Sequence, residues 1–91
     1  FALSPNPTNG QLQINVPNNL ANSGLVEANS TIAIQVFDLY GRLLEQTTDE
    51  QLLQSGQSQM DVAALNTGIY FLQLQDESSG RLLGVERFVR E

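Results

Sequence analysis

One stretch constrains the fold of this chain more than any other, the ten residues from Leu65 to Leu74. It begins with Asn-Thr-Gly, which is turn chemistry, and continues as an apolar and aromatic run that favours a β-strand. Successive side chains of a strand point to opposite faces. One face then has Tyr70, Leu72 and Leu74, and the other has Ile69, Phe71 and Gln73. Because both faces begin apolar, we expect a central strand that is covered on both sides.

Alternating apolar and polar residues predict further strands on either side of this stretch. They lie at residues 1–3, 11–16, 31–38, 42–48, 57–62 and 82–89. The segment from Pro17 to Ser30 is polar and predicts a long crossover, with room for a short strand near Leu25. In the last strand, Val85 and Val89 fall on one face and Phe88 on the other, which indicates a bulge or partial burial on both faces.

Turn chemistry joins the predicted strands. Asp38 and Gly41 occupy the first and fourth positions of a predicted type I turn closed by a glycine bulge, so the next strand should return antiparallel. The same device recurs at residues 76–80. Near the start, Pro5, Asn6 and Pro7 predict a rigid, exposed bend, because proline fixes φ and pushes the preceding residue to an extended conformation. Gly10 then completes a tight turn.

Six or seven strands, glycine turns and no helix predict an all-β fold, an immunoglobulin-like antiparallel β-sandwich of about seven strands. The 91 residues are enough for one domain. They include no cysteine, so no disulfide helps to offset a backbone ordering cost on the order of 100 kcal/mol. Residues 49–56 are predicted to be a polar connection lying over an edge of the core.

The charge of the chain excludes several classes of partner. Four arginines, no lysine and ten carboxylates give a net charge of −6, which repels phosphate backbones and anionic membranes. No apolar run approaches the roughly 20 residues that span a bilayer. We therefore expect no nucleic-acid binding and no direct membrane insertion. If the protein is exported, its N-terminal signal is expected upstream of Phe1.

The residue types for catalysis are few. The chain has no histidine, cysteine or lysine, so it has no conventional triad, no thiolate nucleophile and no ordinary zinc site. The carboxylate pairs Asp49/Glu50 and Asp76/Glu77 are predicted to be solvated turn charges. An aromatic sugar platform of Tyr40, Tyr70 and Phe37 is less favoured than core packing with each phenol tip at the rim. We expect no enzyme, no metal and no cofactor.

Four motifs, taken in order, give the chain a family resemblance. They are Ser4–Gly10, Val36–Leu43, Leu65–Leu72 and Arg87–Arg90. With them the chain resembles the type A C-terminal sorting domain of cargo proteins of the type IX secretion system, also called the Por secretion system. The resemblance covers nearly the whole chain.

The resemblance implies a single sorting domain over residues 1–91, excised from a larger secreted protein of Bacteroidetes. Such a domain directs an upstream cargo through the periplasm to the outer-membrane translocon, with its shuttle and barrel proteins. A sortase-like protease then usually removes the domain, and the cargo stays on the outer-membrane surface or is released. A carbohydrate-binding or adhesion module of the same fold is the alternative hypothesis, and a passive spacer is a third.

The resemblance also implies roles for particular residues. Arg87, Phe88, Val89 and Arg90 are expected to form part of the recognition signal. The family-motif positions expected to be structural are Pro5, Asn6, Pro7, Gly10, Asp38, Gly41, Gly68 and Tyr70. The commonest form of the family has lysines where this chain has Arg87 and Arg90, and a point-charge contact should survive that change. The predicted fold gives no reason for two of the four arginines to lie among the last five residues.

Overall fold

Seven strands and one short helix form the part of the chain that the computed structural model describes, residues 1–17 and 30–91. The strands are β1 (Ala2–Ser4), β2 (Gln11–Asn15), β3 (Ile32–Phe37), β4 (Leu43–Asp49), β5 (Gln57–Asp61), β6 (Gly68–Asp76) and β7 (Leu82–Arg90), and the helix is α1 (Leu52–Ser55). Each predicted strand is found close to its expected bounds. The predicted crossover from Pro17 to Ser30, with the strand suggested near Leu25, lies almost entirely outside the described residues.

The strands form two antiparallel sheets. One sheet has the order β1-β2-β5, and the other has the order β4-β3-β6-β7. The first, second and fifth strands thus share one layer, and the third, sixth and seventh share the other, as in immunoglobulin-like sandwiches. The predicted all-β sandwich is confirmed.

The core lies between the two sheets and follows from the alternation of each strand. Fully buried aliphatic residues within the strands come from β2, β3 and β6, and the largest fully buried side chain, Phe88, comes from β7. These aliphatic residues are Leu12, Ile14, Ile32, Ile34, Val36, Leu72 and Leu74. Burying one such side chain contributes roughly 1.5–3 kcal/mol, which is how a chain without disulfides offsets its ordering cost.

The expectation that the β6 strand is covered on both faces is wrong. β6 is central in its sheet, between β3 and β7, and Tyr70 and Leu72 on its inner face are buried. On its outer face, however, Ile69 is 38% exposed and Phe71 is only half-buried. The physical reason is that a sandwich has two layers, so each sheet buries one face only.

The connection after β4 contains a helical turn that the sequence did not predict. Leu52 and Leu53 are both buried in α1, so the connection does lie over a core edge as expected. The helix ends at Gly56, whose φ of +78° is left-handed and whose N–H donates to the Leu52 carbonyl at 2.8 Å. A four-residue helix is too short to show a 3.6-residue period, so the apolar pattern gives no signal for it.

β7 contains a register shift, but the shift precedes Val85 and leaves the alternation from Val85 to Val89 unchanged. Gly84 pairs with Leu74, but Leu82 pairs with Gln75, so the irregularity lies at the start of β7. From Gly84 to Arg90 the strand then pairs regularly with β6. Phe88 faces the core, and the residues on either side of it face outward.

Candidate functional site

The four terminal residues with an expected recognition role have four different environments. Phe88 is fully buried, and its ring stacks on Tyr70 with centroids 5.7 Å apart and an interplanar angle of 26°. Such a pair contributes about 0.5–1.5 kcal/mol beyond its area burial. In the folded domain Phe88 therefore lies in the core and is inaccessible to a partner.

Arg90 has a structural partner within the domain. Its Nε donates to the Val62 carbonyl and one Nη to the Ala63 carbonyl, each at 3.2 Å, and the other Nη donates to the Glu91 carbonyl. These bonds join the end of β7 to the corner between β5 and β6. The fold therefore supplies a reason for Arg90 that the sequence did not suggest.

Arg87 and Val89 lie on the outward side of β7. Arg87 is exposed, and no residue in the described part of the chain forms an ion pair or a side-chain hydrogen bond with its guanidinium. It pairs in register with Phe71, and Val89 pairs with Ile69. Arg87 is thus exposed and Val89 half-buried on the outward face of the folded domain.

The Pro5-Asn6-Pro7 bend lies along the free edge of β7. The Asn6 side chain accepts the Val89 N–H at 2.9 Å and donates to the Arg87 carbonyl at 3.1 Å. The Asn6 side chain therefore forms the hydrogen bonds that a neighbouring strand would otherwise form with β7. The two prolines of the bend have no N–H that could donate to it. Both X-Pro bonds of the bend, after Ser4 and after Asn6, are cis. The first and last motifs of the sequence are therefore one structural unit, which local sequence patterns did not reveal.

Thr8 continues the pairing that Asn6 begins. Its N–H donates to the Val89 carbonyl and its carbonyl accepts the Glu91 N–H, both at 2.8 Å, which forms a short parallel bridge. Thr8 is fully buried, and its hydroxyl donates to the Gln11 carbonyl at 2.6 Å. The bend thus protects an edge that would otherwise be open to another chain.

Gly10 joins this unit to the β5–β6 corner. Its φ of +142° suits glycine, and a Cβ there would lie 3.2 Å from the Ala63 Cβ. Its carbonyl accepts the Val62 N–H at 2.8 Å. The corner that binds Arg90 is therefore also the one on which the first turn packs.

Tyr70 and Gly68 form the entry to β6. The Tyr70 hydroxyl donates to the Asn66 carbonyl at 2.7 Å, which is the tyrosine corner of immunoglobulin-like sandwiches. A Cβ on Gly68 would lie 3.7 Å from the Tyr70 ring, in ordinary contact. The Tyr70 hydrogen bond fixes the entry to β6, whereas the space at Gly68 would admit a Cβ.

Asp38 and Gly41 build the β3–β4 turn as predicted. The Asp38 carboxylate accepts the N–H groups of Tyr40 and Arg42 at 2.8 and 3.0 Å, and Arg42 Nε at 2.6 Å. Burial acts to raise the pKa of Asp38, but the hydrogen bonds from Arg42 and Tyr40 outweigh it, so the pKa lies below its ordinary value of 3.8. Gly41 has a φ of +82°, which glycine adopts without strain.

The aromatic residues of the suggested sugar platform do not share a face. Tyr70 is buried with its hydroxyl bonded, as expected, whereas Tyr40 is 87% exposed at the tip of the β3–β4 turn. The expectation that Tyr40 packs into the core is wrong, because the turn residue follows the end of β3 and lies beyond the sandwich. Arg42 lies 5.8 Å from its ring centroid.

The predicted environment of Asp76 is also wrong, because this carboxylate is buried rather than solvated. The hydroxyls of Ser78 and Ser79 donate to it at 2.9 and 3.1 Å, and the Ser78 N–H at 3.1 Å. These bonds, the Ser78 hydroxyl first, lower the pKa of Asp76 below 3.8. Across residues 1–17 and 30–91, no three acidic side chains converge as a metal site would require.

Comparison with known proteins agrees with the family that the motifs suggest. A family model described as "Secretion system C-terminal sorting domain" matches residues 2–83, a span that contains the first three motifs. No curated protein matches the chain. In the described part of the chain, no helix is long and apolar enough to span a membrane. The chain belongs to the secretion system C-terminal sorting domain family, and its function is that of a C-terminal sorting signal for type IX secretion.

Proposed function

We propose that the type IX secretion system recognises this domain in its folded form, and that the outward side of β7 is part of the recognised surface. The observation that supports this is the pairing of β7 on both edges, with β6 on one side and with Asn6 and Thr8 on the other. A strand segment paired on both edges cannot be added to a partner's sheet. Recognition of the terminus then depends on the side chains that the folded strand presents.

Arg87 is the residue to which we assign direct contact, with Val89 beside it. Arg87 is the exposed charge of the terminal motif, whereas the Arg90 guanidinium already binds three carbonyls. Phe88 and Arg90 act as positioning residues, because they fix the strand from which Arg87 projects. The four-residue recognition motif is thereby divided into two contact residues and two positioning residues.

The partners we propose are the shuttle and translocon barrel proteins of the outer membrane and a sortase-like protease. The cargo is an upstream part of the same chain, which passes through the periplasm and ends on the outer-membrane surface or outside the cell. The domain itself performs no catalysis. Family membership supports this route, and the engagement of Asp38 and Asp76 in turn hydrogen bonds supports a non-catalytic role for those carboxylates.

The test is export of a reporter. Residues 1–91 are fused behind a signal peptide and a fluorescent protein and expressed in a Bacteroidetes strain with an intact type IX translocon, and in a strain that lacks it. We expect surface or extracellular reporter only in the intact strain, and periplasmic retention when residues 86–91 are removed. Equal export in both strains would refute sorting by this domain.

Removal of residues 86–91 also takes Phe88 out of the core, so a point variant is the sharper test. Arg87→Ala should lower export severalfold without changing the melting temperature, because its guanidinium has no hydrogen-bond or ion-pair partner among residues 1–17 and 30–91. Arg81→Ala removes the same exposed charge from the β6–β7 turn and serves as the matched control. Normal export of Arg87→Ala would exclude Arg87 from the recognised surface.

A further inference from the structure

The outer face of the four-stranded sheet has a continuous apolar patch around Arg87. Register places four outward side chains in one row across the strands: Leu43, Phe37, Phe71 and Arg87. The neighbouring outward positions add apolar residues on β6 and β7: Ile69, Val85 and Val89. We name these seven residues the outer-face patch.

The outer-face patch is accessible. Leu43 is 48% exposed, Val85 is 47% exposed, and the two phenylalanines are half-buried. No side chain in residues 1–17 and 30–91 lies over it as a third layer, since the only helix in that part packs at the core edge. A contiguous exposed apolar patch on a soluble domain is typical of an interaction site.

The charge distribution on this sheet is uneven. The chain has ten carboxylates. None of them lies in the two rows of outward side chains nearest the row of Arg87 on the side of Val85, which contain only glutamine, threonine, alanine and apolar residues. The strand carboxylates Glu45 and Glu86 pair with the inward-facing Val36 and Leu72, so they belong to the opposite side. Arg87 is the one charge among the outward strand positions of this four-stranded sheet in the described part of the chain.

We propose that the outer-face patch is the docking surface for a protein component of the secretion system, and that the partner presents an apolar surface with a carboxylate opposite Arg87. This inference rests on the proposed function and assigns it a surface. Apolar contact would supply the attraction, and the carboxylate would offset the cost of removing the guanidinium from water. Because the patch has no carboxylate, docking there buries no negative charge of the domain.

Charge complementarity distinguishes this partner from two other occupants. A second copy of the chain docked through the same patch would offer no carboxylate to either Arg87, so both guanidiniums would be buried unpaired. An anionic membrane could pair with Arg87, but a chain of net charge −6 is repelled from it. An acidic, apolar protein surface satisfies both requirements.

The size of the patch indicates a transient complex. Four strands about 4.8 Å apart span roughly 15 Å, so the patch fits an interface below about 1,200 Å² in total. Interfaces of that size are found in short-lived encounters. A sorting signal that leaves its receptor after delivery requires such an encounter.

The test uses the reporter fusion with two variants of the patch, Val85→Glu and Arg87→Glu. Each adds negative charge to the docking surface, and we expect each to lower export about tenfold. The matched controls are Gln59→Glu in the other sheet and Arg81→Glu in the β6–β7 turn, both exposed, which should export normally. Circular dichroism and thermal unfolding of the purified 91-residue chains check that each variant folds.

The outcomes separate this inference from the proposed function. If the unaltered fusion requires the translocon but both patch variants export normally, the sorting function stands and the patch is refuted. If the control variants fail equally, net charge rather than the patch controls export, and the inference is again refuted. A dimer seen by sedimentation that Arg87→Glu abolishes would assign the patch to a second copy. Binding of the chain to phosphatidylglycerol vesicles that Arg87→Glu abolishes would assign it to a membrane.

Discussion

The two faces of the β6–β7 strand pair have different environments, although their side chains alternate along the same two strands. On the inner face, Tyr70 stacks on Phe88 in a closed core. On the outer face, Phe71 pairs with an exposed Arg87 that has no counter-ion in the described part of the chain. One short motif therefore stabilises the fold on one side and presents a surface on the other. Neighbouring substitutions should therefore separate stability from recognition.

The largest expected effect is on the inner face. Phe88→Ala should lower the free energy of unfolding by about 3–5 kcal/mol, because it removes a fully buried ring and leaves a cavity. That is a large part of the roughly 5–15 kcal/mol available to a small domain. Arg87→Ala, one residue away, should change it by less than about 0.5 kcal/mol. Urea unfolding measures both.

If Phe88→Ala does not fold, Phe88→Leu keeps the comparison testable, since it leaves a smaller cavity. Its unfolding midpoint should fall clearly below that of Arg87→Ala. Equal midpoints for the two would remove the distinction between the faces.

The distinction between the faces follows from period-2 alternation, so the sequence could predict it. Leu72 and Leu74 were placed opposite Phe71 and Gln73, as observed, and the glycine turns were found because left-handed backbone favours glycine. What the sequence could not predict is which apolar face stays uncovered. That depends on the side of β6 against which the other sheet packs, and both faces of β6 begin with apolar residues.

The contacts between the two chain ends were equally hidden from the sequence. Asn6 and Val89 are 83 positions apart, and no local pattern links a proline bend to a terminal strand. The resemblance implies a recognition role for Arg90, but the partners of its guanidinium are backbone carbonyls at the β5–β6 corner. Backbone acceptors have no residue-type signature, so a structural arginine and a recognition arginine look alike in sequence.

The next effect tests whether the Pro5-Asn6-Pro7 bend holds the edge of β7. Asn6→Ala removes two hydrogen bonds to β7, each with a net contribution of about 0.5–1.5 kcal/mol. We expect a loss of about 1–2 kcal/mol in unfolding free energy and faster amide exchange at Val89. Asn9→Ala in the same loop is the control, because its exposed side chain bonds no residue in the described part of the chain. Unchanged exchange at Val89 would show that the bend does not hold the edge.

A smaller effect concerns Asp76, a buried carboxylate at the end of β6. The pKa of Asp76 is lowered by its serine bonds, so its carboxylate stabilises the fold above about pH 4 and loses that contribution as pH falls through the folded-state pKa. Asp76→Asn should therefore be less stable than the natural chain at pH 7, and the gap should narrow below pH 4. Thermal unfolding from pH 7 to pH 3 measures the gap. Glu77→Gln removes a charge from the same turn but keeps the Asp76 hydrogen bonds. If the stability difference between Glu77→Gln and the natural chain narrowed equally at low pH, the pH dependence could not be assigned to Asp76.

The smallest effect tests the outer face alone. Arg87→Lys keeps the positive charge but loses the planar fork of donors. In the part of the chain that the structure describes, no side-chain partner of Arg87 would be affected by the change. Unfolding free energy should be unchanged, and export of the reporter should stay close to that of the natural chain if the partner carboxylate contacts a point charge. Arg87→Gln, which keeps polarity but removes charge, should lower export severalfold. If export falls as far with Arg87→Lys as with Arg87→Gln, the contact is bidentate, and the partner must present its carboxylate in the plane of the guanidinium.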